Sequence, residues 1–290
     1  MSTLLAVPNV SEGRDLQTLQ AIGAAFTTGG ARLLDRHEDP DHHRAVFTLA
    51  GRPGRLAHAV LAGSREAMGR IDLRRHDGLH PHVGAVDVAP VVFRAAGQRG
   101  AACAEALVLG DLFGAELGLP VFLYGALAGG RTRAELRRGG LAALARRMAE
   151  GELRPDFGPA APHPSAGAAL VAARPPLVAF NVELAAGHGV EEARAIAARI
   201  REGGEEGLPG VRAIGLELAA RGGVAQVSLN VEDPGAVPLA AVVAAVARHA
   251  AVAEAELVGL APRAAFAGFP EDVPVRHLAT IEDALHALDG

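Results

Sequence analysis

Seven of the twelve histidines fall between His37 and His82. An imidazole is suited to taking and returning a proton, because its unperturbed pKa of about 6.5 lies near operating pH. Six of the seven sit in two short stretches. The first, DRHEDPDHHRAVFTLAG, holds His37, Asp39, His42, His43 and Arg44 at or before a strand start, where scaffolds display working side chains. His42 and His43 are adjacent, so an extended backbone points them to opposite faces and they are not expected to serve one site. The plain alternative is a solvated loop with imidazoles on its surface.

The second stretch, RHDGLHPHVGAVDVAP, crowds His76, His80 and His82 around Gly78, Pro81 and Gly84. His76 and His80 have the i, i+4 spacing of a helical metal pair. Gly78 between them and Pro81 after them argue against a helix, which favours a preorganised loop. Pro81 biases His80 toward an extended conformation, Gly78 and Gly84 allow close backbone approach to a ligand, and an extended segment puts His82 on the side of His80. Asp87 alternates with apolar neighbours and either orients a histidine or faces water.

These loops need elements to hold them. LLAVPNV reads as a buried strand, followed by a helix from about Asp15 to Phe26 with Leu16, Leu19, Ile22 and Phe26 on its apolar side. ARLLD and RAVFTLAG follow as strands, then a helix from about Gly54 to Met68, the histidine loop, and a strand within GAVDVAPVVF. The order is β-α-β-β-α-β. After Arg174 it starts again with PLVAFNVEL, VEEARAIAARIRE, VRAIGLEL, VAQVSLNVED, LAAVVAAVARHA and EAELVGLAP. The expected fold is therefore α+β: two ferredoxin-like βαββαβ subdomains, residues 1–174 and 175–290, laid sheet against sheet with a ligand cleft between them. Between the halves we expect a helix near Ala101 to Leu117, a strand in PVFLYG, and one helix near Arg131 to Glu150. The segment from Leu153 to Pro176 is too long and too rich in Pro and Gly to read as regular structure, and a loop of that length is usually functional or disordered. The arginines of RTRAELRRGGLAALARRMAEGELR alternate with acids and alanine, and read as a solvated face.

Composition narrows the function. A formal charge of −5 gives no electrostatic footprint for nucleic acid, and the longest uncharged stretch is broken by Pro and Gly, so no membrane span is expected. Cys103 is the one cysteine, which excludes an intramolecular disulfide and a cysteine zinc cluster. A soluble cytoplasmic protein is the expectation.

The motifs then resemble the glutamate formimidoyltransferase family. VPNVSEGRD is similar to its opening strand, HHRAVFTLAG to its N-R-[ST]-V-x-T strand, and HDGLHPHVGAVDVAP to its H-x-G-x-H-P-R-x-G-A-x-D-V-x-P signature; VFLYG, RPDFGP, LVAFNVEL, AQVSLN and ELVGLAP follow in the family's order. The resemblance implies a folate tunnel between the two sheets and transfer of a formimidoyl group from N-formimidoyl-L-glutamate to tetrahydrofolate, with no metal. It implies that His80, before the Pro of the signature, is the catalytic histidine. His37, His43, Arg44, His82 and Asp87 would contact substrate, and the stretch after D-F-G-P would contact folate: Gly158, Pro159, Ala160, Ala161, Pro162, His163, Pro164, Ser165, Ala166 and Gly167. Three positions depart from the pattern: His43 stands for Asn, His82 for Arg, and His37 for an acid. All three lie beside the proposed chemistry, so a divergent relative acting on another small amide or amidine, with a metal on the extra histidines, and a non-catalytic folate-binding module stay open.

Overall fold

The computed structural model describes residues 3–78 and 80–288. The chain divides into two compact units, Met1–Pro175 and Pro176–Gly290, each taken by itself below.

In the first unit the opening strand is split into β1 (Leu4–Ala6) and β2 (Asn9–Val10). Pro8 cannot donate to a ladder, which interrupts the strand. Its carbonyl still accepts from Phe47 N–H at 3.0 Å, so the two pieces stay in one sheet line. Then come α1 (Leu16–Thr28), β3 (Arg32–Asp39), β4 (Arg44–Gly51), α2 (Leu56–Arg70), β5 (Val86–Val92), α3 (Arg99–Leu117), β6 (Val121–Leu123), α4 (Arg133–Arg137), α5 (Gly140–Ala149) and β7 (Ala169–Arg174). Across the sheet the order is β3, β4, β1/β2, β5, β7, β6. Its first four places reproduce the expected split βαβ arrangement, and β7 and β6 extend it in parallel beside β5.

Residues from α1, α2 and α3, among them Leu19, Ile22, Phe26, Val60 and Phe113, pack on one sheet face with Phe47, Leu49, Ala89 and Val91. Asp15 caps α1 by accepting from Gln17 and Thr18 N–H. Leu16, expected on the apolar side, is 51% exposed, because the helix begins at that residue and turns it outward. The other face of β5, β7 and β6 is covered by α4 and α5 through Leu136, Leu144 and Met148. The single helix expected near Arg131 to Glu150 is thus two, parted at Gly139 and Gly140, both with positive φ. The segment from Leu153 to Pro176 is also more regular than expected, since its end is the buried central strand β7.

One buried acid ties this frame together. Glu105 of α3, 5% exposed, accepts from Ala57 N–H at 2.8 Å and from Gly54 N–H, and so caps α2, whose own N-cap residue Arg55 makes no side-chain bond. Glu105→Ala leaves those donors bare and is expected to cost about 1–3 kcal/mol. A lowered urea midpoint with unchanged slope would show it.

The second unit comprises β8 (Val178–Leu184), α6 (Val190–Ile200), β9 (Val211–Leu218), β10 (Val224–Val231), α7 (Leu239–Ala247), β11 (Val252–Val258), β12 (Val275–Arg276) and α8 (Ile281–His286). Sheet order is β12, β11, β8, β10, β9, again the split βαβ arrangement, with β12 added parallel to β11. Phe180, Val182, Ile196, Val227, Val242 and Leu257 form its core. Its opposite sheet face is polar: Asn181 donates to Glu256 at 2.9 Å, and Glu183 is held by Arg276 and by Arg221.

Candidate active site

Residues paired across neighbouring strands share a face. In the first unit Asp39 pairs with Arg44, His37 with Val46, and Val46 in turn with Asn9. This row lies on the face turned away from α1–α3, because Ala45 and Phe47, next along β4, point into that core. The sheet thus presents Asn9, His37, Asp39 and Arg44 together.

Arg44 and His80 are brought into contact. The guanidinium Nη1 donates to the His80 ring, 2.7 Å from Nδ1, while Nε donates to Asn9 Oδ1 at 2.8 Å. Loss of water around Arg44, then the neighbouring charge of Arg137, brings its pKa down to about 9. Burial first, and the Arg44 and Arg137 charges next, hold His80 well below its usual 6.5. His80 is therefore a neutral base at neutral pH, beside a cation that needs an anion.

Asp87 does neither thing its alternation suggested. The ladder shifts register between Asn9–Val88 and Val10–Val86, leaving Asp87 as the extra residue of a bulge. It is 2% exposed, accepts from Val83 N–H at 2.9 Å, and forms an ion pair with Arg137 of α4. Arg137, placed by its sequence on a solvated face, is in fact largely buried, because the short helix α4 turns it onto the sheet. Arg133, one turn earlier, and Tyr124 also act on Arg44 electrostatically. The surroundings of His80 are cationic.

The remaining histidines form a second group. The ring of His43 stacks on His76 with centroids 4.5 Å apart, and His76 meets His82 edge-on at 4.2 Å. Gly13 N–H donates to His43 Nδ1 at 3.1 Å, and His82 Nδ1 donates to the His80 carbonyl at 3.0 Å. His82 is thus tied to the loop that carries His80. Burial, then the charges of His82 and His43, lowers His76 to about 4. The adjacent pair His42 and His43 does not alternate like a strand, since His43 has φ of 48°; both rings turn toward the histidine loop, His42 to His80 and His43 to His76. His37 sits on β3, 7% exposed, and its charge acts on Asp39.

The stretch from Gly158 to Gly167 is bound to that loop through the backbone. Leu73 N–H donates to Ser165 O and Ala85 N–H to Ala166 O, each at 2.9 Å, and Ala168 N–H to Val83 O at 2.9 Å. Gly158 through Ala161 are exposed, Ala166 and Gly167 buried. His163 closes the turn, its Nδ1 accepting from Ala166 N–H at 3.1 Å. The room left by the loop glycines is used by the chain itself: a Cβ on Gly84 would lie 1.9 Å from Ala168 O, and one on Gly78 2.5 Å from His42 O. Gly167 combines positive φ with a Cβ position 2.1 Å from Val83 O. Gly167→Ala is expected to destabilise the unit by at least about 1–3 kcal/mol. Chemical denaturation would measure it, with an unchanged midpoint as the contrary result.

Comparison with known proteins bears on this arrangement. Residues 3–174 match the formiminotransferase domain, N-terminal subdomain, and residues 179–269 match the formiminotransferase domain. The chain belongs to the formiminotransferase family. Formimidoyltransferase-cyclodeaminase of Sus scrofa is 38% identical over 90% of this chain and 51% of its own length. Glutamate formimidoyltransferase of Thermoplasma acidophilum is 33% identical over 91% of this chain and 90% of its own; that of Streptococcus pyogenes serotype M1 is 36% identical over 77% and 75%. The chain spans about half the length of the cyclodeaminase relatives it matches. Formiminotransferase membership was legible in the histidine signature, and Asp39 and His42 stood out at the strand start; Asn9, Tyr124 and Arg137, which complete the surroundings of His80 and Arg44, were not singled out. Among the described residues no cluster of three His, Cys, Asp or Glu is arranged to hold a metal, and no helix is long and apolar enough to cross a membrane.

Proposed function

We propose that the protein transfers a formimidoyl group from N-formimidoyl-L-glutamate to tetrahydrofolate, the co-substrate, with His80 as the residue that moves the proton. The observation that carries this reading is a neutral imidazole held against a guanidinium, with Arg133 and Arg137 nearby. Arginines suit the two carboxylates of a glutamate, and Arg44 gains a full counter-charge when one of them binds. The folate amine attacks the amidine carbon and His80 takes its proton. The same proton then goes to the glutamate nitrogen as its bond to carbon breaks, so His80 ends as it began. In this reading His37, His43, His82 and Asp87 shape the substrate side, residues 158–167 receive the folate, and the two units correspond to the subdomains 1–174 and 175–290. A homodimer in the cytoplasm is the accompanying expectation.

The direct test is turnover of purified, metal-stripped protein with N-formimidoyl-L-glutamate and tetrahydrofolate, following 5-formimidoyl-tetrahydrofolate. Product formation supports the reading. Folate binding without product would overturn it.

A further inference from the structure

The mechanism above leaves one buried acceptor beside His80 unused. His42 is 6% exposed, and its Nε2 has no hydrogen-bond partner. Its ring stands edge-on to the His80 ring, at 86° with centroids 6.0 Å apart. Ligand-free sites often show such loose geometry and tighten on binding. On its other side His42 is fixed: Asp39 accepts from its backbone N–H at 2.9 Å and from Nδ1 at 2.5 Å. Burial alone would raise the Asp39 pKa, but the hydrogen bonds from His42 pull it down and the net shift is downward. An ionised carboxylate only accepts, so Nδ1 carries a proton, and in the neutral ring Nε2 keeps its lone pair.

His80 needs such an acceptor at one moment. Neutral, it accepts from Arg44. Once it has taken a proton it bears two N–H groups and no lone pair, and Arg44 from β4 then offers only further N–H groups and a like charge. Arg137 from α4 adds a second positive charge, and Asp87 from β5 is already spoken for by Arg137. Asp39, at the end of β3, is the carboxylate bonded to the imidazole that meets the His80 ring edge-on.

We propose that Asp39 and His42 form a positioning pair for His80: His42 Nε2 accepts the His80 ring N–H while His80 carries the transferred proton, and Asp39 holds His42 in the tautomer that can accept. This rests on the reading of His80 as the proton carrier. No proton leaves the pair; the one taken from the attacking amine returns to the departing nitrogen.

The test compares wild-type protein with His42→Ala, His42→Gln, Asp39→Asn and His80→Ala, by formimidoyl transfer and by NMR titration of the His80 ring. Loss of His42, or of the Asp39 charge in a side chain of the same shape, is expected to lower kcat about 10- to 100-fold, the range for removing a partner that orients an active group. KM for both substrates stays close to wild type, the His80 titration moves to lower pH, and His42→Gln, which keeps a side-chain acceptor, recovers part of the rate. Unchanged kcat and an unchanged His80 titration in His42→Ala and Asp39→Asn, with turnover lost in His80→Ala, overturn the pair and leave the function standing. Absence of transfer in the wild-type protein overturns the function, and the titration shift alone then decides the pair.

Discussion

His80→Ala is expected to lower turnover by about 10²- to 10⁴-fold, the usual range for losing a general acid/base group, while folding and folate affinity are retained. Retention follows from its place: the loop around it is fixed by backbone bonds at Leu73 and Ala85 and by Gly84, none of which uses the imidazole. The pH profile carries a second signature. A base held well below 6.5 stays unprotonated through the mildly acidic range, so the acid limb of kcat/KM is expected below pH 6.5 and to vanish with the imidazole. Steady-state rates against pH for both proteins check it. Near-normal rates in the variant would remove His80 from the chemistry.

The largest stability effect is expected at Asp87. With side chains 12% and 3% exposed, Arg137 and Asp87 are a buried pair, and truncating Asp87 leaves a guanidinium with no counter-charge in a site already crowded by Arg44. Breaking such a pair costs about 3–5 kcal/mol. The exposed pair Arg14–Asp77, at 46% and 73%, is hydrated and screened and contributes little. Asp87→Ala is therefore expected to drop the urea midpoint steeply, Asp77→Ala hardly at all. Joining Arg137→Met to Asp87→Leu should restore part of the loss, because two apolar groups need no partner, the bare Val83 N–H accounting for what is not recovered. If Asp87→Ala unfolds at the wild-type midpoint, the ion pair is not a structural link.

The two halves were readable because their apolar residues keep strand and helix periods, as in VRAIGLEL and VEEARAIAARI, which became β9 and α6. The two-residue strand β12 has no period to read. The break at Gly139 and Gly140 was hidden inside a helical composition. At the site, spacing selected His80 and Arg44 but misread His42, since alternation fails when the next residue takes positive φ. Arg137 looked solvated among alternating charges; only the α4 contact with a bulged strand, invisible to periodicity, makes it a core residue.

The backbone stitching of residues 163–168 to residues 73–85 has a thermodynamic side. Segments that share their hydrogen bonds open together, so the amide protons of Leu73, Ala85 and Ala168 are expected to exchange with solvent in one cooperative event rather than three. A ligand that quiets either segment then reduces the disorder the other must still lose. Two substrates that met on this seam would bind with positive coupling, each lowering the entropic cost left for its partner, without any change of shape.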